Sequence, residues 1–324
     1  MLYCHMASDY KIQITECDVP KERHSALEAY RAKRAQWLMW LDEDEDHAIW
    51  TAISGMVWTD VSFRTIAQLA KDDETSSLGN PLLAEQLING HFATQILAIR
   101  RLVDCGRGNI SIRRLIMDIR SNFKLFTREN YVCYDGLPYD YEVVMHEEIA
   151  ERAGKGAFWA PTTGPKAWGT SKMAHEQFDK LTGISPDKRS REDRLPLTLM
   201  DTIEKWLNES GADDLVDWSH VYLAHAGNLE GRQRIADAVV TTNKINEVMK
   251  ILARVTEAIS SYVLFAGGRI NALMPIAQFD QFENLDKPVM QISLKDEAYK
   301  IWDDLSSERN NYLESVRTEL LKIG

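Results

Sequence analysis

Apolar residues recur every three or four positions through most of the chain, the spacing that lines one face of an α-helix. From Lys21 to Leu41 the stripe is Leu27, Tyr30, Arg34, Trp37, Leu38 and Leu41. A second helix is expected from Ala48 to Ala70, burying Ile49, Trp50, Ile53, Val57 and Val61. The run KDDETSSLGNP is a loop by composition, and Pro81 suits the first turn of a third helix that runs to Val103. Gly106 and Gly108 stop that helix, and Asn109 or Ser111 can cap the next, which carries Ile112, Leu115, Ile116, Ile119 and Phe123. Further helices are expected over Tyr139 to Ala153, Ser171 to Leu181 and Leu197 to Leu207. One long helix should run from Glu230 to Leu264, broken by Ala266-Gly267-Gly268, and a last one from Lys295 to Leu321. Two stretches depart from this spacing. KIQITECDV alternates weakly and reads as part of a short extended arm that ends at Pro20, whereas residues 154–170, rich in Gly, Pro and Trp, read as an ordered loop over the helices. The pattern predicts an all-α bundle with an arm over 1–20, helices over 21–270, and a C-terminal connection and helix over 271–324 that packs on the bundle.

Composition adjusts this picture without changing it. With 44% hydrophobic and 27% charged residues over 324 positions, the chain has the make-up of a globular protein. A formal net charge of -11 argues against a general electrostatic grip on nucleic acid and leaves room only for a local basic cleft. Cys4, Cys17, Cys105 and Cys133 lack metal-binding spacing, and the start of the chain lacks a signal-peptide pattern; free thiols in the cytoplasm are expected. No apolar run is long enough to span a bilayer, so no membrane association is expected. The acidic run Asp42 to Asp46 is placed to face the N-terminus of the second helix. Consecutive carboxylates point in different directions, so it does not read as a metal site, and no metal or cofactor is expected.

Candidate chemistry concentrates in Asp214 to Asn228, DLVDWSHVYLAHAGN, where Ser219, His220, Tyr222, His225 and Asn228 fall together. Gly227 places His225 near a helix end, where an imidazole can cap carbonyls or act as a general acid or base in a cleft. His220 lies about 140° away around a helix and does not pair with it as a zinc ligand. GRG at Gly106 and GGR at Gly267 follow no strand and are loop glycines rather than phosphate cradles. Trp159 and Trp168 suit either base stacking or packing on the bundle. Lys188, Arg189, Arg191 and Arg194 form the densest basic cluster, diluted by Glu192 and Asp193 into a solvated, self-paired face.

Three of these stretches resemble the HEPN superfamily, in its abortive-infection, AbiU-type branch. They are ILAIRRLVDCGRGNISIRRLIMDI from Ile96 to Ile119, HEQFDKLTG from His175 to Gly183 with the Arg/Asp cluster that follows, and YLAHA from Tyr222 to Ala226. The resemblance implies a helical, homodimeric protein of a defence or toxin system, with an antitoxin as a possible partner and RNA as a substrate. It also implies metal-independent RNA cleavage in which His225 moves the proton and an arginine holds the phosphate. This chain has Ser219 where that motif carries its arginine, so the positive charge must come from His220, Arg100, Arg101, Arg232 or Arg234. Tyr222, Asn228 and Arg232 are the corresponding candidates for RNA contact. The missing arginine fits equally a catalytically inactive dimerisation or interaction protein of the same fold. A third reading is a helical small-ligand-binding domain roofed by the Trp-rich loop.

Overall fold

The computed structural model describes residues 10–71, 73, 75–152, 161–224, 230, 233, 240–270, 272–274, 280–285, 287 and 295–311. Among them the regular structure is helical, and the only strand-like feature is a single antiparallel bridge between Thr127 and Arg194. The helices are α1 (His24–Leu38), α2 (Ile49–Lys71), α3 (Pro81–Val103), α4 (Ile112–Ser121), α5 (Arg128–Cys133) and α6 (Tyr141–Arg152). They continue as α7 (Trp168–Thr182), α8 (Leu197–Asn208), α9 (Ala212–Ser219), α10 (Thr242–Glu257) and α11 (Lys295–Asn311). Three of them end by widening into a π-helical turn: Met39–Glu43 after α1, His220–Ala224 after α9 and Ala258–Val263 after α10. No described helix is long and apolar enough to cross a membrane.

Local chemistry explains the boundaries. Ser111 caps α4 by accepting from the Arg114 amide at 3.1 Å, and Gly183, at φ 72°, closes α7 in the left-handed conformation that costs glycine little. Four expectations from the sequence need correction. The weakly alternating arm forms no strand; Ile14–Glu16 is a 3-10 turn. The stretch 230–264 is not one helix, because Thr241 is extended and its hydroxyl caps α10 by accepting from the Lys244 amide at 3.1 Å. The Val-Val-Thr-Thr run before it is β-branched, which weakens helical continuity, and a threonine there gains more as an N-cap. Trp168 opens a helix rather than lying in the loop, of which 161–167 are non-helical. The fourth is α5, an element that no periodicity signalled: all six of its residues are buried, Arg128, Glu129 and Asn130 included.

Contacts divide the chain into two units, Met1–Arg64 with Ile88–Pro275, and Thr65–Leu87 with Ile276–Gly324. In the first, α5 packs against α1 and α7, and α10 against α4 and α8. Its core is aromatic where these meet. The Trp37 ring stacks on Phe126 at 5.4 Å between centroids, and Tyr30 meets the same ring edge-on at 5.5 Å. The Trp37 indole N–H is satisfied by Asp118 Oδ2 at 2.7 Å, which Lys33 also holds at 3.0 Å. The second unit contains α11, on which Tyr299, Ile301, Trp302 and Leu305 are exposed.

Candidate functional site

The stretch singled out in the sequence begins as α9, which buries Leu215 and Ser219, the latter with its hydroxyl donating to the Val216 carbonyl at 2.7 Å. Lys244 fastens the helix to the start of α10 through Asp214 at 2.9 Å. At His220, half-buried, the ladder widens to the π turn. Tyr222 rests its ring 4.9 Å from Trp218, and both Tyr222 and Leu223 are exposed. His225, Asn228, Arg232 and Arg234 lie outside the described residues, as does Trp159.

Arg100 and Arg101 occupy the last turn of α3. Arg100 is half-buried, and the exposed Arg101 reaches the Asp46 carbonyl at 3.4 Å. Arg113 joins this helix end to α9, donating to the Val103 carbonyl at 3.1 Å and to Asp213 at 2.9 Å. Asp213 is in the first turn of α9, seven residues from His220, or about 10 Å along the axis. The structure therefore ties the α3 end to the end of α9 away from the π turn.

The basic cluster has an unexpected setting. Its segment lies against the start of α5, with Arg128 N donating to Asp193 O at 2.7 Å and Leu195 N to Phe126 O at 3.2 Å. Arg128, fully buried, reaches Asp179 at 2.6 Å and Asp193 at 2.8 Å and lies 4.5 Å over the Phe178 ring. Arg189 takes the other oxygen of Asp179 at 2.7 Å. Arg191 bridges Glu129 at 2.8 Å and Asp18 at 2.9 Å, while Arg23 meets Glu129 at 3.2 Å and also Glu192. The expectation of a solvated, self-paired face needs correction: Arg189 and Arg191 are part-buried and pair with carboxylates outside the cluster, while its Glu192 and Asp193 pair with Arg23 and Arg128. His175 belongs to the same clamp. It is buried between Tyr139 and Tyr141, with Nε2 against the Tyr139 carbonyl at 3.0 Å and Nδ1 without a partner. Burial, reinforced by the Arg189 charge, pushes its pKa down to about 4. Thus His175, Phe178 and Asp179, which carry one of the HEPN-like stretches, act as the structural centre of a charged clamp.

Sequence reasoning passed over a second place, a cavity of about 550 Å³ beside Arg34. Two π turns contribute to its wall, one with Leu41, Asp42 and Glu43, the other with Ser260; Tyr134 and the loop Phe265 to Arg269 complete much of the rest. Arg34 is only 4% exposed. Its Nη2 donates to the Leu264 carbonyl at 3.1 Å, its plane lies 3.9 Å from the Tyr134 ring centroid, and its Nε has no acceptor. Among the described residues it has no ion pair. Burial works against its charge, but the phenol oxygens of Tyr134, Tyr30 and Tyr10 outweigh that and raise its pKa. The loop is constrained on both sides. Phe265 stands at φ 49°, a left-handed conformation uncommon for a bulky residue. Glu257 accepts from the Arg269 amide at 2.7 Å and the Ser261 hydroxyl at 2.6 Å, and a Cβ at Gly268 would overlap both that carboxylate and that hydroxyl. Across the mouth Arg269 pairs with Asp42. An apolar groove of about 610 Å³, lined by Leu199, Trp206 and Tyr262 among others, shares Trp50 and Arg269 with this cavity. Trp168 lines neither. Among the described residues, no group of three His, Cys, Asp or Glu is placed to hold a metal ion.

Compared with family models, curated proteins and solved structures, the chain has no significant match.

Proposed function

We propose that the chain is a HEPN-like helical protein of a defence or toxin system, acting in the cytoplasm as a homodimer and cleaving RNA without a metal. The observation that carries this reading is the π turn His220–Ala224. Helical ladders that widen in this way are rare and are found frequently at functional sites. Here the widening presents Tyr222 to solvent three residues before His225. His225 is the acid/base for the ribose 2′-hydroxyl and the leaving oxygen. His220, Arg100, Arg101, Arg232 or Arg234 supplies the charge on the phosphate, Tyr222 and Asn228 contact the RNA, and an antitoxin holds the activity in check. The half-buried His220 is nearest in sequence to this task; the α3 arginines lie toward the far end of α9.

A second reading, a non-catalytic interaction protein of the same fold, is favoured by one observation. Arg23, Arg128, Arg189 and Arg191 are all taken up by carboxylates, which leaves them little capacity to grip phosphate. The test is cleavage of a fluorescent RNA pool in EDTA by the wild-type chain and by His225→Ala. Activity that disappears in the variant supports the ribonuclease. Intact RNA with both proteins, or equal cutting by both, overturns it and leaves the interaction protein.

A further inference from the structure

We propose that the cavity beside Arg34 is a binding site for a small organic carboxylate with an apolar body. The proposal is independent of His225 and of RNA cleavage. It starts from a physical anomaly. A guanidinium withdrawn from water is costly unless its charge and its donors are met, and buried arginines are ordinarily found paired. Arg128, fully buried, has two carboxylate partners, and Arg31, also buried, donates to the Tyr134 carbonyl and to Cys17 Sγ. Arg34 is buried nearly as deeply, yet its hydrogen-bonding partners are the Leu264 carbonyl and the Tyr10 hydroxyl, neither of them a carboxylate, and its Nε is unmet. That unmet donor belongs to a side chain lining a cavity of about 550 Å³, within the range of small-molecule sites.

The lining selects the ligand class. Arginine's planar fork matches a carboxylate and forms charge-assisted hydrogen bonds with it. Leu38, Leu41, Tyr134 and Phe265 offer apolar and aromatic surface to the remainder of the molecule. Asp42 and Glu43 also line the cavity, which disfavours a multiply charged anion such as phosphate and favours a single negative charge placed deep, away from them. Arg269 is already paired with Asp42, and among the described residues Arg34 is the lining cation that no carboxylate holds in an ion pair. The wall is built beforehand, since the Phe265 backbone and the Glu257 hydrogen bonds fix the loop in place.

The experiment is calorimetric titration of the full chain with benzoate, with benzamide as its neutral isostere, and with inorganic phosphate. Benzoate is expected to bind, benzamide and phosphate to give no measurable heat of binding. Arg34→Met should weaken benzoate by about ten- to hundredfold, the loss of one charge-assisted hydrogen bond. Ala266→Trp places bulk at an exposed rim position with Arg34 intact, and should also abolish binding. If Arg34→Met does not fold, the Ala266→Trp comparison decides alone. Benzamide binding as well as benzoate, phosphate binding in place of benzoate, absence of benzoate binding, or benzoate binding retained in Ala266→Trp would each overturn the proposal.

Discussion

His175 shows how a single side chain sets a pH limit on this fold. An ordinary histidine titrates near 6.5, and burial holds this one near 4. Between those values the unfolded chain takes up a proton that the folded chain refuses, so acidification favours unfolding. The contribution is complete above pH 6.5, falls as the pH drops through the window, and levels off near 4. Its full size is about 3 kcal/mol. Urea unfolding at pH 7, 5.5 and 4.5 measures it, and His175→Gln should flatten that part of the profile. An identical slope in the variant would mean that other groups cause the loss. At the same scale Arg34 is the opposite case, a residue whose charge is kept although burial opposes it.

Among the elements, the clamp between α5, α7 and the 191–195 segment is built on charge rather than on apolar contact. Replacing Arg128 by Met leaves Asp193 without that partner and weakens the hold on Asp179. Breaking a buried pair from one side costs about 3–5 kcal/mol, and chemical denaturation should show a loss of that order. Arg189→Met should cost less, because Arg189 is part-exposed and Asp179 keeps Arg128. If the two variants lose the same stability, Arg128 has no special place in the clamp. This element also shows where sequence reading stops. The helix Pro81–Val103 and the Ser111 cap were legible, because proline chemistry, an apolar stripe and a capping hydroxyl are local signals. Helix α5 was not, since its buried residues include Arg128, Glu129 and Asn130, which look like surface until their partners come from residues 23, 125, 179, 191 and 193. Thr241 was hidden for another reason, its apolar neighbours making a continuous helix look possible. Arg34 stood in plain view on the stripe of α1, but its lack of an ion pair is a tertiary fact and has no local trace.

For the whole molecule, the informative quantity is where the charge goes. The chain is acidic, at -11, and two of the four basic residues of its densest cluster, Arg189 and Arg191, are held by carboxylates. RNA can then be met by few cations at once. If RNA binds, its affinity should fall with salt on a log–log slope no steeper than about -2, the value for roughly three neutralised phosphates on a single strand. Fluorescence anisotropy across a salt series measures this. A much steeper slope would reveal an extended basic surface, and would favour the ribonuclease over the interaction protein.

The three π turns have a consequence for how this chain tolerates changes in length. A π turn holds one more residue than the α-helical path between the same two points. Removing one residue from 39–43 or 258–263 would let the helix close in ordinary α geometry with its flanks in register, so the change would fall on the side chains of the turn itself. Asp42 and Ser260 would then leave the cavity wall. An indel that a surface loop would absorb unnoticed would here rearrange the wall of the Arg34 cavity while leaving the helix count unchanged.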